Sequence, residues 1–326
     1  MNRRETVLAL LALGIAPIAA RAQPAAKLRR VGLLLQGTEA EEARQVAEFL
    51  RGLRDLGYEE GRNFTFEPRF PAQQPQLFDQ FAAELVRLNV DVLVAVSPPA
   101  VLAAQRAATR IPVVFGFVAD PVGLKLVTSL GRPGGNLTGL STQSDEIIAK
   151  RVQLLKEAVP KLAQVLVLFN PIDRGAYEHV EAMQAAAQRL KVAVRAVEIR
   201  GPEELEKAFA TFGRERNTGV VIVSGGLLFN QRSRIAALAL EHKLPSMFPT
   251  SLAVEAGALM AYGPNTFAMC YRLAYFVDRI LKGANPRDLP VEQPTKFDLD
   301  INLKTAKALG LTIPHSLLIS ANKVIE

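Results

Sequence analysis

Tryptophan is absent from the 326 residues, cysteine occurs once, histidine three times, and aromatic residues make up only 6%. The single cysteine, Cys270, excludes an intrachain disulfide framework and a multi-thiolate zinc site. The histidines, His179, His242 and His315, are scattered and share no ligand spacing, so no metal site is expected. No G-x-G-x-x-G follows an apolar run, and neither a G-x-x-x-x-G-K-[ST] loop nor a G-x-S-x-G elbow occurs. No catalytic constellation and no cofactor is therefore predicted. The net charge of +7 is mild and unclustered, and the chain beyond residue 22 carries +5, 36 basic against 31 acidic residues. Nucleic acid is not an expected partner of such a surface.

What is present begins at the N-terminus. Arg3 and Arg4 precede a 14-residue apolar stretch, Val7 to Ala20, which ends in Ala20-Arg21-Ala22. That stretch is too short to span a bilayer core, and the small-x-small triplet offers a peptidase site, so residues 1–22 read as a signal peptide cleaved after Ala22. Arg3-Arg4 leaves the Sec and twin-arginine routes both open. The next residue is Gln23, not the cysteine a lipid anchor requires, so a free periplasmic protein without stable membrane insertion is expected.

Beyond this, short apolar runs alternate with amphipathic helices, the pattern of an α/β protein with buried parallel strands. Val31 to Leu35 is the first run. Thr38 and Glu41 form a capping box ahead of a helix whose predicted apolar stripe is Ala43, Val46, Phe49, Leu50, Leu53 and Leu56, stopped at Gly57. Further strands are predicted at Phe64–Phe70, Val90–Val96 and Pro112–Val118, with helices near Pro75–Leu88 and Ala100–Ala108. After Pro133-Gly134-Gly135-Asn136 a second series opens. Val165–Phe169 matches Val31–Leu35, Val220–Ser224 matches Val92–Ser97, and Leu244–Phe248 matches Ile111–Phe115, all in the same order. Two similar doubly wound parallel-sheet lobes follow, with a ligand cleft between them.

Ligands of open α/β sheets lie outside the carboxyl ends of the strands, so the candidate site residues are those of the strand-end loops. They are Gln36, Gly37 and Thr38; Ser97 and Pro98; Val118 and Asp120; Asn170; Ser224 and Gly225; and Tyr262. Ser97 precedes a helix, whose first N–H groups together with its hydroxyl form a candidate carboxylate site; Ser97 and Thr38 equally suit plain helix caps. Asp120 suits either a ligand ammonium or the turn before Pro121. Tyr177 and Tyr262 are the aromatic candidates, with ordinary packing as the alternative. The acid pairs Glu59-Glu60, Glu203-Glu204 and Asp298 with Asp300 read as solvated faces.

Phrases along the whole chain after residue 22 then carry a family resemblance. They are Gly52-Leu53 to Gly57-Tyr58 with Glu60-Gly61-Arg62-Asn63, Ile111 to Phe115 followed by Asp120-Pro121-Val122-Gly123, Arg132 to Gly139, and Leu289 to Phe297 running into Ile301 to Gly310. The chain resembles the tryptophan/tyrosine-type substrate-binding proteins of ABC transporters, within the type I periplasmic binding protein fold. The resemblance implies three hinge crossovers, near Ser141, Gly263 and Pro294. It divides the chain into an N-terminal lobe of residues 23–141 plus 264–293 and a C-terminal lobe of residues 142–263 plus 294–326. It implies a non-enzymatic, monomeric component of an importer that captures a small polar ligand, an amino acid with the aromatic ones among the candidates, and passes it to a permease coupled to an ATPase. A periplasmic sensor for a membrane receptor would use the same lobes, and an enzyme on this fold would need a base or nucleophile that the loops lack.

Overall fold

The computed structural model describes residues 28–326 except 73, 143, 144, 174 and 213–215. The signal segment expected over residues 1–22 lies outside the described residues.

The first sheet holds β1 (Arg29–Leu34), β2 (Phe64–Arg69), β3 (Val92–Val96), β4 (Val113–Val118) and β5 (Leu137–Ser141), in the order β2-β1-β3-β4-β5 with every pairing parallel. Between these strands run α1 (Glu39–Asp55), α2 (Pro75–Arg87) and α3 (Pro98–Ala107). The second lobe opens with α4 (Asp145–Ala158). It continues through β6 (Gln164–Phe169), α5 (Ala176–Arg189), β7 (Ala193–Glu198), α6 (Leu205–Phe212), β8 (Thr218–Ile222), α7 (Gly226–Asn230), α8 (Arg232–Glu241), β9 (Ser246–Phe248), α9 (Ser251–Glu255) and β10 (Met260–Pro264). After β10 the chain makes α10 (Thr266–Leu281), then β11 (Phe297–Asn302), α11 (Leu303–Ala308), α12 (His315–Ser320) and β12 (Lys323–Ile325).

The second sheet has the order β12-β11-β10-β9-β8-β6-β7. Its segment β7-β6-β8-β9-β10 repeats the winding of the first sheet, which is the similarity expected from the ordered apolar runs. The added β11 departs from an all-parallel sheet, because it pairs antiparallel with β10, Met260 opposite Ile301 and Pro264 opposite Phe297. It arrives from the opposite direction, after the chain has returned through the first lobe.

That return is visible in the packing. On one face of the first sheet, Phe49 and Leu53 of α1 and Leu273 and Phe276 of α10 cover Leu33, Val94 and Val114; on the other, Phe78 and Leu85 of α2 and Val101 of α3 cover Leu34, Leu93 and Phe115. Helix α10 therefore belongs to the first sheet although it follows a strand of the second. The segment after it runs beside β5, with Ser141 N–H donating to Glu292 O and Glu292 N–H to Gly139 O, before leaving for β11. In the second lobe α4 and α5 cover one face of the sheet, and α6, α8 and α9 the other.

Two expectations are corrected here. The buried face of α1 is Glu42, Gln45, Phe49, Gly52 and Leu53, while Ala43 and Leu56 are exposed. The face is set by α10: a Cβ at Gly52 would lie 2.6 Å from Tyr271 O, so only glycine permits the two helices to approach this closely. Asp300 is not solvated but 4% exposed within β11, and burial, followed by the nearby charge of Asp298, pushes its carboxyl up to about 6.

Candidate functional site

In each lobe the strand order reverses direction at one place, between β1 and β3 in the first and between β6 and β8 in the second. At such a switch point the flanking loops diverge and leave a crevice outside the strand ends.

In the first lobe, Thr38 accepts from Glu41 N–H while Glu41 Oε2 accepts from Thr38 N–H at 2.9 Å, so the predicted capping box forms and occupies Thr38. Gly37 N–H donates to Glu42 Oε1 at 2.9 Å. Burial raises the Glu42 carboxyl, while hydrogen bonds from the Gly37 and Gln36 backbone oppose the rise. Gln36 itself points across the seam: its Nε2 donates to Gly226 O of the second lobe at 3.3 Å.

Ser97 lies beside Gln36 at the end of β3, two steps beyond a register that pairs Leu34 with Ala95. It is 6% exposed, its φ is 108°, and its Oγ is the one buried side-chain polar atom without a hydrogen-bond partner among the described residues. The cap reading thus fails for Ser97, whose side chain makes no cap hydrogen bond. The cause is local. An N-cap hydroxyl bonds the N–H of the second or third helical residue from an extended cap residue; Pro99 at the second position has no N–H, and the φ of 108° takes Ser97 out of the extended conformation from which a cap reaches the third. Pro98 and Pro99 take two N–H donors from the helix terminus that the anion-site expectation counted on, and leave the hydroxyl.

At the end of β4, Val118 is wholly buried in the first-lobe core, so it faces away from the crevice. Asp120 Oδ1 accepts from Gly123 N–H at 2.7 Å, the local-turn reading of Asp-Pro. Phe117, opposite Ser97 across β3 and β4, has φ 60°, so two strained residues sit side by side at this edge.

In the second lobe, Asn170 Oδ1 accepts from Ile172 N–H at 3.1 Å, which turns the chain so that Asp173 meets the Ser224-Gly225-Gly226 loop after β8. Asp173 Oδ2 lies 1.9 Å from where a Cβ of Gly225 would stand. Its carboxylate has no hydrogen bond or ion pair among the described residues, and burial alone pushes it up to about 6. Tyr177 is 50% exposed, its hydroxyl donating to Glu198 Oε1 of the edge strand β7 and its ring edge-on to Phe169 at 5.0 Å, on the far side of β6 from the switch point. Tyr262 packs against Phe297 and the second-lobe core, two strands away, with its carbonyl accepting from buried Arg151 Nε at 2.8 Å.

The structure joins Gln36 of the first lobe to the Ser224-Gly225-Gly226 loop of the second, with Ser97 and Pro98 following β3 beside Gln36 and Asn170 turning its chain toward Asp173, while Gly37 lines the adjoining crevice. It leaves Thr38, Val118, Asp120, Tyr177 and Tyr262 in structural contacts. Sequence reasoning missed Asp173, whose only signal was an acid two residues past the strand-end Asn170-Pro171. It also missed the crevice beside them, where Glu41, Glu42 and Gln45 of α1 face Phe229, Asn230 and Arg232. Among the described residues no group of three or more His, Cys, Asp or Glu could hold a metal ion, and no helix is long and apolar enough to cross a membrane.

Residues 39–325 match the profile of the family described as ABC transporter substrate binding protein. The chain belongs to this family. A curated relative, a tyrosine-binding protein of Clostridioides difficile (strain R20291), is 26% identical over 263 residues, which cover 81% of this chain and 75% of the relative. The crystal structure of a conserved domain protein from Vibrio cholerae is 29% identical with a TM-score of 0.84, covering 91% of this chain and 100% of the other. An ABC domain from Streptococcus pneumonia in complex with L-Trp has the same fold, with 22% identity, a TM-score of 0.84 and the same two coverages. The role that the family's description carries is substrate binding.

Proposed function

We propose that the protein is the periplasmic solute-binding component of an ABC importer and that it captures an α-amino acid of the aromatic class between its lobes. The bodies that close would be residues 23–141 plus 264–293 and residues 142–263 plus 294–326, with ligand held by Gln36, Ser97 and Pro98 from one side and Asn170, Ser224 and Gly225 from the other. The observation that carries the reading is the orphaned Ser97 hydroxyl: a buried donor in strained backbone, at the switch point, is stabilised when a ligand carboxylate accepts from it. The tyrosine-binding relative and the L-Trp complex support the choice of ligand class.

Closure of the lobes around ligand follows from differential affinity, and moving the closed form from 1:99 to 99:1 takes about 5.5 kcal/mol. Several hydrogen bonds at about 1 kcal/mol each, with burial of an aromatic side chain, reach that figure. The captured molecule leaves unchanged for the permease and its ATPase.

A thermal-shift screen of the purified monomer against amino acids, small carboxylates and sugars tests the reading, because a ligand that binds only the native state raises the melting temperature. A rise with tyrosine or tryptophan is expected. A rise with sugars or amine-free carboxylates alone would replace the amino-acid assignment, and chemical conversion of a bound compound would remove the importer role.

A further inference from the structure

Asp173 is a carboxylate held against bare backbone. Its Oδ2 takes the space a side chain at residue 225 would need, and the adjoining Gly226 carbonyl accepts from Gln36 across the seam. Gln36 lies beside Ser97 in the β1–β3 register. A continuous path of contacts thus joins an unpartnered acid of the second lobe to an unpartnered hydroxyl of the first, both at switch points.

We propose that Asp173 accepts the ligand's α-ammonium group while Ser97 donates to its carboxylate, so that the site selects zwitterionic α-amino acids over the matching amine-free acids. This rests on the amino-acid reading above and names the group that reads the amine.

The chemistry points one way. A carboxylate partly withdrawn from water without a cation or donor is costly, and a group that brings both positive charge and several N–H donors relieves the cost most fully. A primary ammonium supplies three donors in a small volume. A neutral polyol would supply donors without the charge, and a divalent metal would require further oxygen ligands, whereas no acid cluster adjoins Asp173 among the described residues. The neutral Ser97 donor on the opposite wall complements the other end of the same zwitterion. Burial raising the Asp173 carboxyl agrees with a group whose charged form awaits a cation. Gly225 then has a definite task, since a side chain there would strike Asp173, and one at Gly226 would crowd the Gln36 amide at 3.1 Å.

Titration calorimetry of the purified protein provides the test, with L-tyrosine and L-tryptophan as probes beside 3-(4-hydroxyphenyl)propanoate and 3-(indol-3-yl)propanoate. The wild type should bind an amino acid at least about tenfold more tightly than its amine-free analogue. Asp173→Asn should weaken the amino acid by about tenfold and leave the analogue nearly unchanged, so that discrimination collapses. Ser97→Ala should weaken both. Equal affinity of wild type and Asp173→Asn for the amino acid overturns this assignment while leaving the amino-acid reading intact. Binding of the analogues alone, or of none of the four, overturns both. Should Asp173→Asn not fold, the wild-type ratio of amino acid to analogue decides, and a ratio near one overturns the proposal.

Discussion

Arg44 Nη1 on α1 lies 2.8 Å from Glu255 Oε2 at the end of α9, an ion pair that ties the first lobe to the second. The Arg44 guanidinium also stacks 4.3 Å over the Phe267 ring, and Glu255 is shared with Lys323 at 2.7 Å. With Gln36 to Gly226, this gives two ties on the same seam, one at the ligand crevice and one beside it.

The Arg44 tie acts on closure without touching ligand. An exposed pair of this kind contributes at most about 1 kcal/mol, so Arg44→Ala should weaken ligand binding no more than about fivefold. Small-angle scattering should show a larger radius of gyration for the variant without ligand, and added salt should shift the wild type the same way. An unchanged radius would mean that the pair does not bias the lobes.

Ser97 separates binding from stability. Its hydroxyl stabilises nothing in the ligand-free protein, so Ser97→Ala should leave the melting temperature level or slightly higher while costing about tenfold in ligand affinity. Ser97→Gly should also relieve the φ of 108° and raise stability by about 1 kcal/mol in urea unfolding. A drop in stability for both variants would assign the hydroxyl to the fold.

Ligand affinity should depend on pH through Asp173. Its carboxyl is raised to about 6 by burial, and no charged side chain among the described residues acts on it. The ammonium partner requires the ionised acid, so affinity should rise about tenfold between pH 5 and 7 and then level off. Asp173→Asn should flatten the profile; a wild-type profile already flat would place the ammonium elsewhere.

Asp300 should act on stability in the opposite direction. Its folded value of about 6 exceeds the ordinary 3.8, so the folded state binds the proton more tightly and stability is lost as pH rises from about 4 through 6. Asp300→Asn should add about 1–2 kcal/mol at pH 7, held below the full linkage value by loss of attraction to Lys323, and nothing below pH 4. Urea midpoints at the two pH values check the sign.

Gly52→Ala should loosen the α1–α10 contact. The added methyl meets the Tyr271 carbonyl at 2.6 Å and Ala274 Cβ at 2.8 Å, so a loss of about 1–3 kcal/mol is expected. Calorimetric melting measures it, and an unchanged melting temperature would show that the helices part freely.

Local physics was legible in the sequence where neighbours along the chain supply both partners. The Thr38–Glu41 box, the proline opening α2 and the buried apolar runs Val92–Val96 and Val220–Val223 required no distant information. The α1 face was not legible, because α10 reaches Gly52 from more than two hundred positions along the chain. The burial of Asp300 depends in the same way on β11 lying against β10 and β12.

By itself the sequence determined the two doubly wound windings, since apolar runs buried on both faces, separated by capped amphipathic helices, have few other ways to leave water. Tertiary structure alone decided which polar groups confront each other at the crevice. Gln36 and Gly226 stand 190 positions apart, and Asp173 meets Gly225 only because β6 and β8 are neighbours in the sheet. Contacts of that range are set by strand order and the approach of the lobes, which no window along the chain contains.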